Sequence, residues 1–189
     1  LSAGPELSRR LATAQYVRTV DDPTATETFG ARYVFADLDQ WTLAANVRAN
    51  LTLTPRLSFQ LFAQPLISSG AYSAFKELDR PRTFDFTEYG SDGTTLSVED
   101  GIFTADPDGA GQADAFSFRD PSFQFASLRG NAVLRWEYRP GSTLFLVWAT
   151  ETDDYEGQGE FQPRRAMSRL FEQRPNHFFR VKLTYWFDA

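Results

Sequence analysis

The sequence predicts an all-β protein, an antiparallel up-and-down transmembrane β-barrel of which this chain would be the C-terminal portion. Three observations predict it. Residues 41–53 alternate without a break: Trp41, Leu43, Ala45, Val47, Ala49, Leu51 and Leu53 against Thr42, Ala44, Asn46, Arg48, Asn50 and Thr52. Period two gives a strand one apolar and one polar face, and this run is longer than the roughly 5–6 residues of an ordinary soluble strand. Residues 179–187 alternate too, with Phe179, Val181, Leu183, Tyr185 and Phe187 opposite Arg180, Lys182 and Thr184; Trp186 is the exception. Finally, long and short connections sort to opposite sides of the chain.

Taken in order, residues 11–20 form a weakly alternating strand, followed by a linker over 21–30 rich in Asp, Thr, Pro and Gly. Residues 33–36 read as a short strand, joined to the run at Trp41 by Asp37-Leu38-Asp39-Gln40. Thr54-Pro55-Arg56 makes a tight turn, because proline lacks the N–H that a ladder requires. Leu57, Phe59, Leu61 and Ala63 return as the second arm of a hairpin. Residues 68–123 read as a long polar loop, with a small hairpin from 84–86 and 95–98 inside it. Loops of that length are uncommon without a function. Ala132, Leu134, Trp136 and Tyr138 alternate with Asn131, Arg135, Glu137 and Arg139, and Pro140-Gly141 suits a turn. Residues 143–150 return, a second long loop covers 151–176, and the closing strand follows.

Antiparallel neighbours place successive connections on alternate sides. Counting back from the C-terminus puts both Pro-bearing turns on one side and both long loops on the other. Outer-membrane barrels have short periplasmic turns and long external loops. The expected location is therefore a bacterial outer membrane with the C-terminus facing the periplasm. The count is about seven strands, against 8 or more, usually an even number, in such barrels. With a chain that starts at Leu1, this leads us to expect further strands upstream, along with any signal peptide.

Several segments resemble a family of bacterial outer-membrane proteins of unknown function, whose members carry an N-terminal carbohydrate-binding module similar to family 9, followed by a barrel. The stretches that carry the resemblance are residues 127–148, which include Arg135-Trp-Glu-Tyr-Arg-Pro-Gly-Ser-Thr-Leu144, and residues 181–187. Also similar are the hairpin over 51–64 with Ser68-Ser69-Gly70, Phe75-Lys-Glu-Leu78, and Arg80-Pro81-Arg82. The resemblance covers most of the chain from Arg32 onward. It implies the fold and the location. It implies no activity, and the carbohydrate-binding module lies outside this chain.

Composition narrows the function classes. Mean hydropathy is −0.40, and the longest apolar run, residues 144–149, is far below the about 20 residues of a membrane helix. A barrel strand needs only about 9–11 residues with one apolar face, so low hydropathy with 15% aromatics suits it. No cysteine is present, which excludes disulfides and thiol sites. The net charge is −6 and no basic stripe appears, which argues against nucleic acid as a partner. The expected partners are the lipid bilayer and the barrel-assembly machinery. Carbohydrate and other envelope proteins are further partners the reading allows.

Candidate sites follow from this frame. Asp106, Asp108 and Asp114, around Gly109 and Gly111 and with Gln112 between, resemble a calcium loop. Ala110 stands where another carboxylate is expected, and a solvated acidic loop accounts for the same residues. No cofactor is required; calcium is the one that the residues suggest. Arg48, Arg135, Glu137, Arg139, Arg180 and Lys182 occupy polar strand faces, as a charged lumen or as a salt-bridged, plugged interior. Trp41, Tyr138, Trp148, Tyr185, Trp186 and Phe187 fall at or near strand ends, where membrane barrels carry aromatic girdles; a sugar-stacking platform is the rival. His177, the single histidine, has Ser168 and Asn176 nearby but no nucleophile motif, so no enzyme activity is expected. The leading expectation is a channel, or an anchor for the upstream module. The alternatives are a soluble or filament-forming β-sandwich and a barrel enzyme.

Overall fold

The computed structural model describes residues 1–187. Its main sheet is an antiparallel meander of six long strands: β1 (Ser2–Asp21), β2 (Ala31–Thr54), β3 (Leu57–Leu78), β8 (Phe123–Arg139), β9 (Ser142–Glu156) and β10 (Asn176–Thr184). A short strand, β4 (Phe86–Glu88), adds to the end of β3. Between β4 and β8, β5 (Thr95–Glu99), β6 (Ile102–Asp106) and β7 (Phe116–Arg119) form a separate three-stranded sheet. One helix, α1 (Pro163–Glu172), lies between β9 and β10.

The chain is all-β and antiparallel, as its periodicity predicts. Among the described residues the sheet is open: β1 and β10 form its two edges and do not pair with each other. Several boundaries differ from the sequence reading. Residues 33–36 and 41–53 belong to one strand, because Asp37-Leu38-Asp39-Gln40 pairs continuously with β1 and β3 instead of turning. The main sheet therefore has six long strands where about seven strands were expected in all. β1 starts at Ser2, and β3 and β9 run on to Leu78 and Glu156, so the loops shrink to 79–122 and 157–175. The segments 84–86 and 95–98 do not pair with each other; β4 joins β3, and β5 joins β6. The last strand stops at Thr184, short of 187.

These corrections sharpen the sorting of connections. The segments 22–30, 79–122 and 157–175 all lie at one end of the sheet, the loop end. At the other, the turn end, Pro55-Arg56 and Pro140-Gly141 join strands in the tightest way. Proline presets φ for the first turn position, and Gly141 supplies a φ of 78° at the second.

Cross-strand register defines two faces. Trp41, Leu43, Val47, Ala49 and Leu51 align with Ser69, Ile67, Ala63, Leu61 and Phe59 of β3. The same face continues through Ala126–Trp136 at even positions of β8, Leu144, Leu146 and Trp148 of β9, and Phe179, Val181 and Leu183 of β10. We call it the Trp41 face. The opposite face carries Arg48, Asn46, Gln60, Gln64, Arg129, Asn131, Arg135, Arg180 and Lys182, and we call it the Arg48 face.

In β2 the apolar phase switches sides. Below Trp41 the apolar residues lie on the Trp41 face. Above it, Val34, Ala36 and Leu38 point to the Arg48 face, where they are 0%, 0% and 4% exposed. What buries the first two is the three-stranded sheet: Val34 and Ala36 share a core with Phe75, Tyr89, Ala105 and Phe118. Phe75 makes edge or tilted contacts with Phe118 at 5.0 Å and Phe103 at 4.6 Å. A bulge at Ala74, whose φ is 49°, lets β3 bend into this core. Gly70 permits a second close approach, since a Cβ there would fall 2.5 Å from the Phe123 ring.

Candidate functional site

The candidate functional surface is the main sheet itself, with different chemistry on its two faces. On the Trp41 face, β3 presents Leu57, Phe59, Leu61, Ala63, Pro65 and Ile67 in succession. Ten residue steps at about 3.3 Å, tilted by about 40°, span about 25 Å, the height of the apolar band of a membrane barrel. Much of this band is open: Leu51, Leu53, Trp136, Leu146, Phe179, Val181 and Leu183 are 40–77% exposed. An apolar patch of this extent is unusual on a soluble monomer.

The Arg48 face opposite is mixed over the same height: it carries the charged and amide side chains of the strands, interspersed with Phe62, Val133, Phe145 and Val147. Arg48, Arg135, Glu137, Arg180 and Lys182 all lie on it, as the alternation predicts. Arg135 and Glu137 pair at 3.7 Å, Arg48 stacks over Phe62, and Lys182 approaches the Phe145 ring. Arg129 and Glu151 add a cross-strand pair at 2.9 Å, which the sequence reading missed because it ended the strand at residue 150. Arg139 sits at the turn end, bonded to the Tyr185 hydroxyl at 2.7 Å.

The aromatic residues divide between three levels. Tyr138, Tyr185 and Phe187 cluster at the turn end, with Tyr138 beside Trp136 and Tyr185 beside Phe187. Trp41 marks the upper limit of the apolar band, stacked on Phe161 at 5.7 Å and covered by the Arg9 guanidinium. Trp148 corrects the expectation of a strand-end position. It lies inside β9, in register with Ala132 and Phe179, because β9 continues six residues past the predicted limit to Glu156. Its indole donates to His177 Nδ1 at 3.3 Å. Among the described residues no carboxylate hydrogen-bonds His177.

The acidic turn after β6 is self-contained. Asp106 Oδ1 accepts from the amides of Asp108 and Gly109, and Asp108 Oδ2 accepts from those of Gln112 and Ala113. Asp114 does not join them, and among the described residues no three acidic or histidine side chains converge as a metal site.

At the loop end the Arg48 face carries a compact ionic cluster that the sequence reading did not single out. Arg32 bonds Asp22 at 2.5 Å and Glu77 at 2.7 Å, and Tyr89 donates to Glu77 at 2.9 Å. Burial pushes the Asp22 carboxyl up, but the Thr24 and Arg32 hydrogen bonds and the Arg32 charge outweigh it and hold the group below its ordinary value. Burial, with the neighbouring Glu77 charge, pushes the Tyr89 phenol up. The cluster ties the 22–30 segment, β2, β3 and the residue after β4 into one block. Its members are far apart in sequence, so no local spacing announces it.

The Trp41 face has its own cover at the loop end. Helix α1 sets Ala166 and Leu170, 1% and 0% exposed, against Ile67 and Ala126. Arg169 bonds Asp154 at 2.9 Å and Glu156 at 3.1 Å, and Arg165 bonds Glu156 as well. The helix lies in a stretch expected to be a polar loop. Its signal was present, in the i, i+4 spacing of Ala166 and Leu170 behind Pro163, which sits in the first helical turn.

Residues 6–189 match the family described as a domain of unknown function, DUF5916. The chain belongs to the DUF5916 family. No curated protein and no solved structure matches it. No helix among the described residues of this DUF5916 chain is long and apolar enough to cross a membrane.

Proposed function

We propose that the DUF5916 chain is part of the wall of an outer-membrane β-barrel, with its turn end in the periplasm and its loop end outside. The observation that carries this reading is the exposed apolar band on the Trp41 face, backed by a face that holds the charged and amide side chains of the same strands. In the proposed arrangement the Trp41 face meets lipid, the Arg48 face lines the lumen, and the open edges of β1 and β10 are closed by further strands of the same barrel. The bilayer and the barrel-assembly machinery are then its partners.

Two roles fit such a wall: a channel, or an anchor that displays a carbohydrate-binding module. The three-stranded sheet favours the anchor. It folds over the Arg48 face at the loop end, on the Val34–Phe75 core, where it would narrow the mouth of the lumen. The pairing of Arg135 with Glu137 and of Arg129 with Glu151 also cancels charge that an ion-selective pore would use.

The full-length protein in its own membranes tests the reading. It should resist a high-salt wash, require detergent for extraction, and migrate differently on gels before and after heating. Recovery in the salt wash would sink the proposal and favour the soluble sandwich. Planar-bilayer recording then separates the roles: a closed anchor shows no steady conductance, a channel does.

A further inference from the structure

Helix α1 is held asymmetrically. Its β9 side is locked by Arg165 and Arg169 on Glu156 and Asp154. Its β2 side stands away from the sheet and leaves a groove of about 620 Å³. That is within the range of about 300–1,000 Å³ for ligand sites. Leu43, Ala45, Pro65 and Ile67 form the floor, and Met167 and Phe171 form the helical wall. Arg164 and Ser168 are the polar side chains that reach it.

We propose that this groove holds one acyl chain of an anionic phospholipid, whose phosphate is taken by Arg164. The inference rests on the membrane reading above and names a ligand for it. Three observations support an acyl chain. The floor residues are the top of the apolar band, so the groove opens directly onto the surface assigned to lipid. Apart from Arg164 and Ser168 the lining is apolar, so a polar ligand body would lose its hydration without compensation. Phe171 projects from the helix with 68% exposure, an apolar lip with no protein neighbour covering it.

Charge selects the headgroup. Arg165 and Arg169 are neutralised by the acidic side chains of β9. Arg164, one residue away, is exposed and has no hydrogen-bonding or ionic partner among the described residues. In a chain of net charge −6, this leaves a single cation at the mouth of an apolar slot. A phosphate satisfies it with a charge-assisted bond, and a zwitterionic headgroup does so less well.

The experiment uses the full-length protein in detergent, titrated with phosphatidylglycerol or with phosphatidylcholine of the same chains and followed by native mass spectrometry. One saturable phosphatidylglycerol adduct is expected, at least about tenfold tighter than phosphatidylcholine. Arg164→Gln should erase that preference and leave chain binding. Ala45→Trp should fill the slot and remove both adducts. Phe171→Ala, at an exposed site that cannot unfold the protein, should weaken both and covers the case where Ala45→Trp fails to fold. Equal adducts in wild type and all three variants, no headgroup preference, or a second copy of the chain in place of lipid would each overturn the proposal. Its failure is separable from failure of the barrel reading, because a protein without the groove site still needs detergent for extraction.

Discussion

Arg169 of α1 donates to Asp154 of β9 at 2.9 Å, and Asp154 is only 8% exposed although it lies on the apolar-banded face of the sheet. The carboxylate is thus buried by the helix that it holds. Gln173 adds a second donor to it at 2.8 Å.

Replacing Asp154 with Ala should therefore release α1 without unfolding the sheet. Asp154 loses two donors in the variant, one of them charged, and these are what tie this side of the helix to β9. Amide exchange at residues 166–170 should quicken about tenfold, with β8 and β9 unchanged. Exchange that stays at the wild-type rate would show that packing of Ala166 and Leu170 alone secures the helix.

The two faces should respond oppositely to charge. Leu61→Arg places a cation in the middle of the apolar band and should cost about 2–4 kcal/mol in a bilayer. Gln60→Arg, one residue away on the Arg48 face, should change stability by less than about 1 kcal/mol. Reversible urea unfolding in vesicles measures both. Equal costs would mean that the faces do not meet different media.

Truncating Phe75 to Ala removes the centre of the core beneath the three-stranded sheet, at a cost of about 3–5 kcal/mol. Protease should then cut within residues 90–119 well before the long strands. In a planar bilayer the same variant, or deletion of that segment, should raise conductance if the sheet narrows the lumen. Unchanged current with demonstrable loosening would assign the obstruction elsewhere.

The Asp22–Arg32–Glu77 block should loosen in acid. The Asp22 carboxyl is held below its ordinary value in the folded state, so its contribution is complete above the unfolded value of about 3.9 and is lost as pH falls through the depressed folded value. Hydrogen exchange at residues 22–30, corrected for intrinsic pH dependence, should accelerate in that window. Asp22→Asn should abolish the acid step and start from the looser state.

The lower halves of β2, β3, β8, β9 and β10 were legible because each keeps one apolar face, which period two records directly; in β1 the upper half, 11–20, was read and the lower half was missed. Residues 41–53 and 57–63 needed no tertiary information. The upper halves of β2 and β3 were not legible for the same reason inverted. Val34 and Ala36 are apolar on the other face, because their partners are local modules from the 79–122 segment, and Leu38 keeps the same phase beside Gly70. That reversal made Asp37-Leu38-Asp39-Gln40 resemble a turn. Trp148 was misplaced because Thr152 and Asp154 looked like loop residues; they are polar members of a strand that α1 covers. The Arg32 cluster and the α1 groove depend on segments brought together only by the meander. The charges of the Arg48 face, by contrast, were readable one strand at a time.

The reversal within β2 also has a positional consequence in the proposed membrane setting. Arg9 and Asp39 bond in two places at 2.8 and 2.7 Å immediately above Trp41, on the same face as the apolar band. Sinking the wall by two residues, about 5 Å along the membrane normal, would carry this pair toward hydrocarbon. Raising it by the same amount would lift Leu43 and Ile67 into the headgroups. In that setting the opposed penalties would give the strand a depth gauge, with the vertical position of the protein set by a single change of phase in its sequence.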